Sequence, residues 1–188
     1  MSIVSTTTPM SSGLCEQTIR QLTERYPSLQ ERVITTTAYG RPVQAITIGS
    51  GDRHVILSAA HHANEWITAT VLLKFTEDLA QAAAEGGKIW GVPAETILKY
   101  STVHILPMMD PDGVALVTGE ILPDSPEYAQ AQRIAVYFPQ IPFPDGWKAN
   151  LLGTDLNLNY PAGWLQAREI KFSQGFVNPG PRDYVGRF

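Results

Sequence analysis

His62 and Glu65 stand three residues apart in the run Ala60-His61-His62-Ala63-Asn64-Glu65-Trp66-Ile67-Thr68, where a short apolar stretch gives way to an amphipathic one. If a helix begins near Asn64, an extended His62 and a first-turn Glu65 converge on one point. An imidazole and a carboxylate meeting there form a donor pair that zinc accepts, with bonds of roughly 2.0–2.2 Å. A plain structural reading stands beside this one. His62 would close a strand, and Glu65 would sit where a carboxylate favours the helix dipole. His61, next to His62 on an extended backbone, points the other way and reads as core or as support for a ligand. His54 and His104 lie within apolar runs and read as satisfied core histidines.

A second cluster comprises Trp147-Lys148-Ala149-Asn150 and Gly153-Thr154-Asp155-Leu156-Asn157-Leu158-Asn159-Tyr160-Pro161-Ala162-Gly163-Trp164. Lys148 can bring a cation to a developing oxyanion, and the Asn157 amide can both donate to and accept from a peptide. Asx turns and a surface lysine would explain the same residues without any chemistry. Between the clusters, Asp110-Pro111-Asp112-Gly113 is by itself a strong turn signal.

The elements that must position these groups follow from periodicity. Leu14, Ile19, Leu22 and Tyr26 predict a helix over 13–26, stopped by Pro27. Residues 32–38 and 43–49 predict a hairpin turning at Gly40, and 54–58 a buried strand. Ile67, Val71, Leu72, Phe75 and Leu79 predict a helix over 65–84, ended by Gly86-Gly87. A buried strand follows at 102–106, and Ser125-Pro126 opens a helix over 127–137. Strand, helix, strand in that order implies a βαβ crossover, hence an α/β layer whose sheet is partly parallel with an antiparallel hairpin at its edge. Residues 140–147 and 175–188, rich in Pro and Gly, read as loops.

Composition limits the partners. With 188 residues and 44% apolar content the chain can bury a core as a single domain. Its 14 Lys and Arg are scattered and its net charge is −4, which argues against nucleic acid and anionic membranes as partners. No apolar run reaches the roughly 18 residues of a membrane span, and residues 1–14 lack a secretory pattern. The single cysteine, Cys15, forms no intrachain disulfide, so the expected compartment is reducing and cytoplasmic. Cys15 itself reads as a small helix residue.

Taken in order, these segments resemble the zinc carboxypeptidase family, from about the first strand to Tyr184. His62-Ala63-Asn64-Glu65-Trp66 resembles the family's first metal motif, which implies that His62 and Glu65 are two of three protein ligands to zinc. Pro111-Asp112-Gly113 resembles its Asn-Pro-Asp-Gly turn, with Asp110 in the Asn position. Asp155-Leu156-Asn157-Leu158-Asn159-Tyr160 resembles its Asp-x-Asn-Arg-Asn-aromatic segment, and Lys148 falls where the family has an oxyanion-stabilising Arg. The resemblance therefore implies an incomplete form of the family's mixed eight-stranded sheet with helices on both faces. It also implies peptide hydrolysis with Lys148 as oxyanion donor and Asn157 as substrate anchor.

Three departures shape the expectation. Asn64 stands where digestive members have Arg, and Leu158 replaces the Arg that grips a terminal carboxylate. The whole combination, with Pro179-Gly180-Pro181-Arg182-Asp183-Tyr184, looks most like the bacterial branch that cleaves γ-D-glutamyl-diaminopimelate bonds in murein peptides. Finally, no His follows His104, whereas the family takes its third ligand and its general-base Glu from later segments. Residues 1–188 are thus expected to be the N-terminal part of one peptidase domain. A zinc-dependent deacylase of N-acyl amino acids and a non-catalytic degenerate module remain the alternatives.

Overall fold

The computed structural model describes residues 2–187. They divide into two compact units, one of residues 2–59 and 67–108, the other of residues 60–66 and 109–187.

In the first unit, helix α1 (Ser12–Arg25) starts where the Ser11 hydroxyl accepts from Leu14 N–H, and it buries Cys15, Ile19 and Leu22. Burial pushes the Cys15 thiol up to about 12, so it is an inert packing group. Strands β1 (Gln30–Thr36) and β2 (Pro42–Gly49) form the expected hairpin, whose turn places Gly40 at φ +82°. Strand β3 (Arg53–Ser58), helix α2 (Ile67–Glu85) and strand β6 (Ser101–Leu106) make the crossover, with β3 and β6 parallel. The sheet order is β1-β2-β6-β3, with antiparallel pairing from β1 through β6, so the sheet is mixed. Ile46, Ile48, Val103 and Ile105 fill its core face. A two-residue hairpin of β4 (Lys88–Ile89) and β5 (Val92–Pro93) and a short helix α3 (Ala94–Tyr100) complete the unit.

Two expectations fail here for one reason. Strand β3 is the sheet's outer strand rather than a buried one, and Ile56 is 71% exposed. His54 and His104 consequently lie outside the core. Their Nδ1 and Nε2 atoms meet at 2.9 Å with nearly parallel rings, and Thr47 Oγ1 lies 3.2 Å from His104 Nδ1. Apolar composition revealed the strand; it could not reveal that one edge is open. Beside that edge runs an apolar cleft of about 900 Å³ lined by Ile56, Leu57, Ile67, Val71, Phe75 and Trp90.

The second unit contains helices α4 (Pro111–Val117), α5 (Pro126–Ala135) and α6 (Trp164–Ser173) joined by long structured loops. Helix α5 begins with the Ser125 cap and Pro126 as the sequence predicts. Among the described residues no helix is long and apolar enough to cross a membrane.

Candidate metal centre

Every predicted site residue lies in the second unit. His62 is extended at φ −105°, ψ 133°, and caps a single 3-10 turn, Ala63–Glu65. That turn is pinned from outside, because Ala63 N–H and Asn64 N–H donate to the carbonyls of Lys148 and Trp147 at 3.1 Å each. The Lys148 and Ala149 amides donate in turn to the Pro181 carbonyl at 2.8 and 2.9 Å. Trp147 is buried, its indole N–H donates to Asn150 O at 3.2 Å, and its ring meets Phe143 edge-on. Helix α4 holds the other side. Asp110 N–H donates to Ala60 O at 3.0 Å, and a Cβ on Gly113 would lie 2.6 Å from Ala149 O and 2.8 Å from Ala63 Cβ. Only glycine permits that approach. The Asp-Pro-Asp-Gly run is therefore the start of a buried helix rather than a simple turn.

These contacts bring His62 Nδ1 to 3.2 Å from Glu65 Oε1. On the far side of the ring, His62 Nε2 lies 3.1 Å from Asp155 Oδ1. Asp155 is buried and held by N–H donors from Asn157 at 3.2 Å and Asp183 at 3.1 Å. A carboxylate behind an imidazole fixes the ring and its tautomer, leaving the other nitrogen as a lone-pair donor. Spacing along the sequence does not single out Asp155 for this part. The signal available was only its place in the Asn- and Asp-rich run, 93 residues from His62. Lys148 Nζ contacts the same Glu65 Oε1 at 2.8 Å. That ammonium, helped by His62 and opposed by burial, holds the Glu65 carboxyl below the usual range.

The remaining predicted residues divide. Asn157 is exposed, and its backbone N–H rather than its side-chain amide joins the cluster. His61 is partly buried, with Nε2 2.6 Å from the Tyr160 hydroxyl. Desolvation, then the neighbouring His62, lowers its pKa against the pull of Asp155.

A sequence model described as zinc carboxypeptidase matches residues 15–183. The chain belongs to the zinc carboxypeptidase family. Similar curated proteins include a gamma-D-glutamyl-L-diamino acid endopeptidase of Lysinibacillus sphaericus, 35% identical over 168 residues that make up 89% of this chain and 41% of that protein. A carboxypeptidase E of Caenorhabditis elegans is 28% identical over 154 residues, 78% of this chain and 28% of its own. Among solved structures, thrombin activatable fibrinolysis inhibitor aligns over 80% of this chain and 34% of its own, with a TM-score of 0.60 and 19% identity, which supports the fold. The chain thus spans less than half the length of these relatives.

The family's zinc can be tested against the donors present. Two ligands on a tetrahedral ion with bonds of about 2.0–2.2 Å lie about 3.4 Å apart. His62 Nδ1 and Glu65 Oε1, at 3.2 Å, fit that separation, and their chemistry suits the ion. The count is two. Among the described residues no group of three His, Cys, Asp or Glu side chains is arranged around one point.

Proposed function

We propose that residues 1–188 carry part of the active centre of a zinc-dependent peptidase of carboxypeptidase type, acting on γ-D-glutamyl-diamino acid bonds of murein peptides. The observation that carries this is the His62–Glu65 pair at 3.2 Å with Asp155 behind the imidazole. In this reading His62 and Glu65 hold the metal, and a third protein donor and the general base come from outside these residues. The chain's 41% share of the Lysinibacillus endopeptidase and the open apolar edge of β3 both support a place within a larger domain. When bound, zinc supplies Lewis-acid polarisation of the scissile carbonyl and an acidified water.

The chain's own residues do the rest. Asp155 keeps the imidazole oriented, Lys148 offers positive charge to the oxyanion, and Asn157, exposed two residues after Asp155, anchors the peptide. Leu158 lacks the donors that an Arg would give a terminal carboxylate, so a free α-carboxylate beside it would be desolvated unpaired. The substrate preference follows from this loss and from the similarity to the endopeptidase. Buried, solitary Cys15 accords with a cytoplasmic setting.

The test is a chimera joining residues 1–188 to the remainder of the Lysinibacillus endopeptidase. We expect it to cleave a γ-D-glutamyl-diaminopimelate tripeptide faster than it releases C-terminal residues from hippuryl peptides. Equal or faster hippuryl turnover would remove the murein assignment. Cleavage of N-acyl amino acids instead would favour the deacylase reading.

A further inference from the structure

Glu65 Oε1 is shared. It faces His62 Nδ1 at 3.2 Å and accepts from Lys148 Nζ at 2.8 Å, so the ammonium and the imidazole approach the same carboxylate oxygen. A metal ion held by that oxygen and the imidazole would bring two or more positive charges within a few ångströms of the ammonium. Like charges that close repel, the more so where solvent is partly excluded.

The backbone of Lys148 cannot yield easily. Its N–H donates to Pro181 O at 2.8 Å, its carbonyl accepts from Ala63 N–H at 3.1 Å, and the next amide is also bonded to Pro181. Its flexible four-carbon stem can. The Lys148 side chain is 23% exposed and that of Glu65 46%, so the head can swing out over the mouth of the site. An arginine would grip the carboxylate with a planar fork, whereas lysine presents a mobile point charge.

We propose that Lys148 is a built-in competitor for the metal, its ammonium and a divalent cation excluding one another at Glu65 Oε1, so that metal loading releases Lys148 toward the substrate. This rests on the reading of His62 and Glu65 as metal donors. It adds a coupling: the charge needed for an oxyanion becomes available only once the ion is seated. A substrate site with its cation already engaged by Glu65 would be idle.

Zinc affinity, measured by competition with a chromophoric chelator, tests this on the chain as it is and on Lys148→Met, Lys148→Arg and His62→Ala. The expected order is tighter binding for Lys148→Met, by roughly three- to tenfold, the scale of a part-exposed ion pair. Lys148→Arg, which keeps a cation at this position, should not share the gain of Lys148→Met, and His62→Ala should lose binding. A second readout needs no variant. Acylation of Lys148 by an N-hydroxysuccinimide ester, followed by peptide mass spectrometry, should rise on adding zinc, while Lys171, paired with Asp183 at 2.7 Å, should not change. Zinc binding that needs His62 but is unchanged or weakened in Lys148→Met, with steady Lys148 acylation, would overturn the competition and leave the metal site standing. Binding that is absent from all four proteins, or indifferent to His62, would overturn both.

Discussion

Two buried carboxylates, one in each unit, have opposite fates. Glu77 on α2 accepts from Ser2 Oγ at 2.6 Å, Ile3 N–H at 2.5 Å, Val4 N–H at 3.3 Å and Lys74 Nζ at 3.3 Å. Burial pushes its pKa up, but these donors prevail and it lies below the ordinary value. Asp110 at the start of α4 has one donor, Gly113 N–H at 3.0 Å, and its Oδ2 is buried without a partner. Burial therefore dominates, reinforced by Asp112 and Asp155, and its pKa is raised well above the ordinary value. Asp110 is both more deeply enclosed and poorer in donors than Glu77, and the two differences push its pKa the same way. Glu77 fastens Ser2, Ile3 and Val4 to a helix, whereas burial at Asp110 disfavours the charged form.

The largest effect is expected at Gly113. A methyl there would collide with Asp110 Oδ2 and approach Ala149 O to 2.6 Å, so Gly113→Ala should cost roughly 3 kcal/mol or more in urea unfolding. A near-neutral result would mean that α4 is not wedged against Ala63 Cβ and the Ala149 carbonyl. Glu77→Gln should cost about 2 kcal/mol at pH 7, since it weakens several bonds to one buried acceptor. Because the folded pKa of Glu77 is depressed, its contribution is present above about pH 4 and is lost as pH falls through the folded value. The variant's stability should therefore fall less on acidification than the parent's.

Asp110→Asn should act with the opposite sign and a smaller size. The raised pKa of Asp110 makes its own contribution to stability fully present below about pH 4 and lost as pH rises toward the folded value, because the folded state holds a proton that the unfolded state has released. An amide carries no such penalty, so the variant should be about 1 kcal/mol more stable at pH 8 and its stability flatter with pH. Destabilisation at pH 8 would show that the carboxylate, not the acid, is the form the fold requires.

Legibility followed the same division. Helix α2 lies where expected but buries Ala69, Leu73 and Ala80 rather than the Ile67 and Val71 of the apolar stripe, which are exposed. Helices α1 and α5 and the βαβ crossover were readable because each buries one face at a regular period or opens with a cap. Helix α4 was not, since its residues from Pro111 to Leu116 are all buried and leave no polar phase to contrast. Helix α6 was missed for the converse reason: none of its residues is buried. The meeting of His62, Glu65 and Lys148 could be anticipated because their chemistry is distinctive and the motifs are ordered. The contact of Asp155 could not, because it is made by a fold that brings this carboxylate 3.1 Å from an imidazole 93 residues away.

The central claim is that His62 and Glu65 are a metal-donor pair oriented by Asp155. Isothermal titration of zinc into the chain tests it most directly, with His62→Ala and Asp155→Asn run alongside. The account predicts one weak site, below the affinity of a three-donor centre, abolished by His62→Ala and weakened roughly 10- to 100-fold by Asp155→Asn. One equivalent of zinc bound equally well by all three proteins would contradict it.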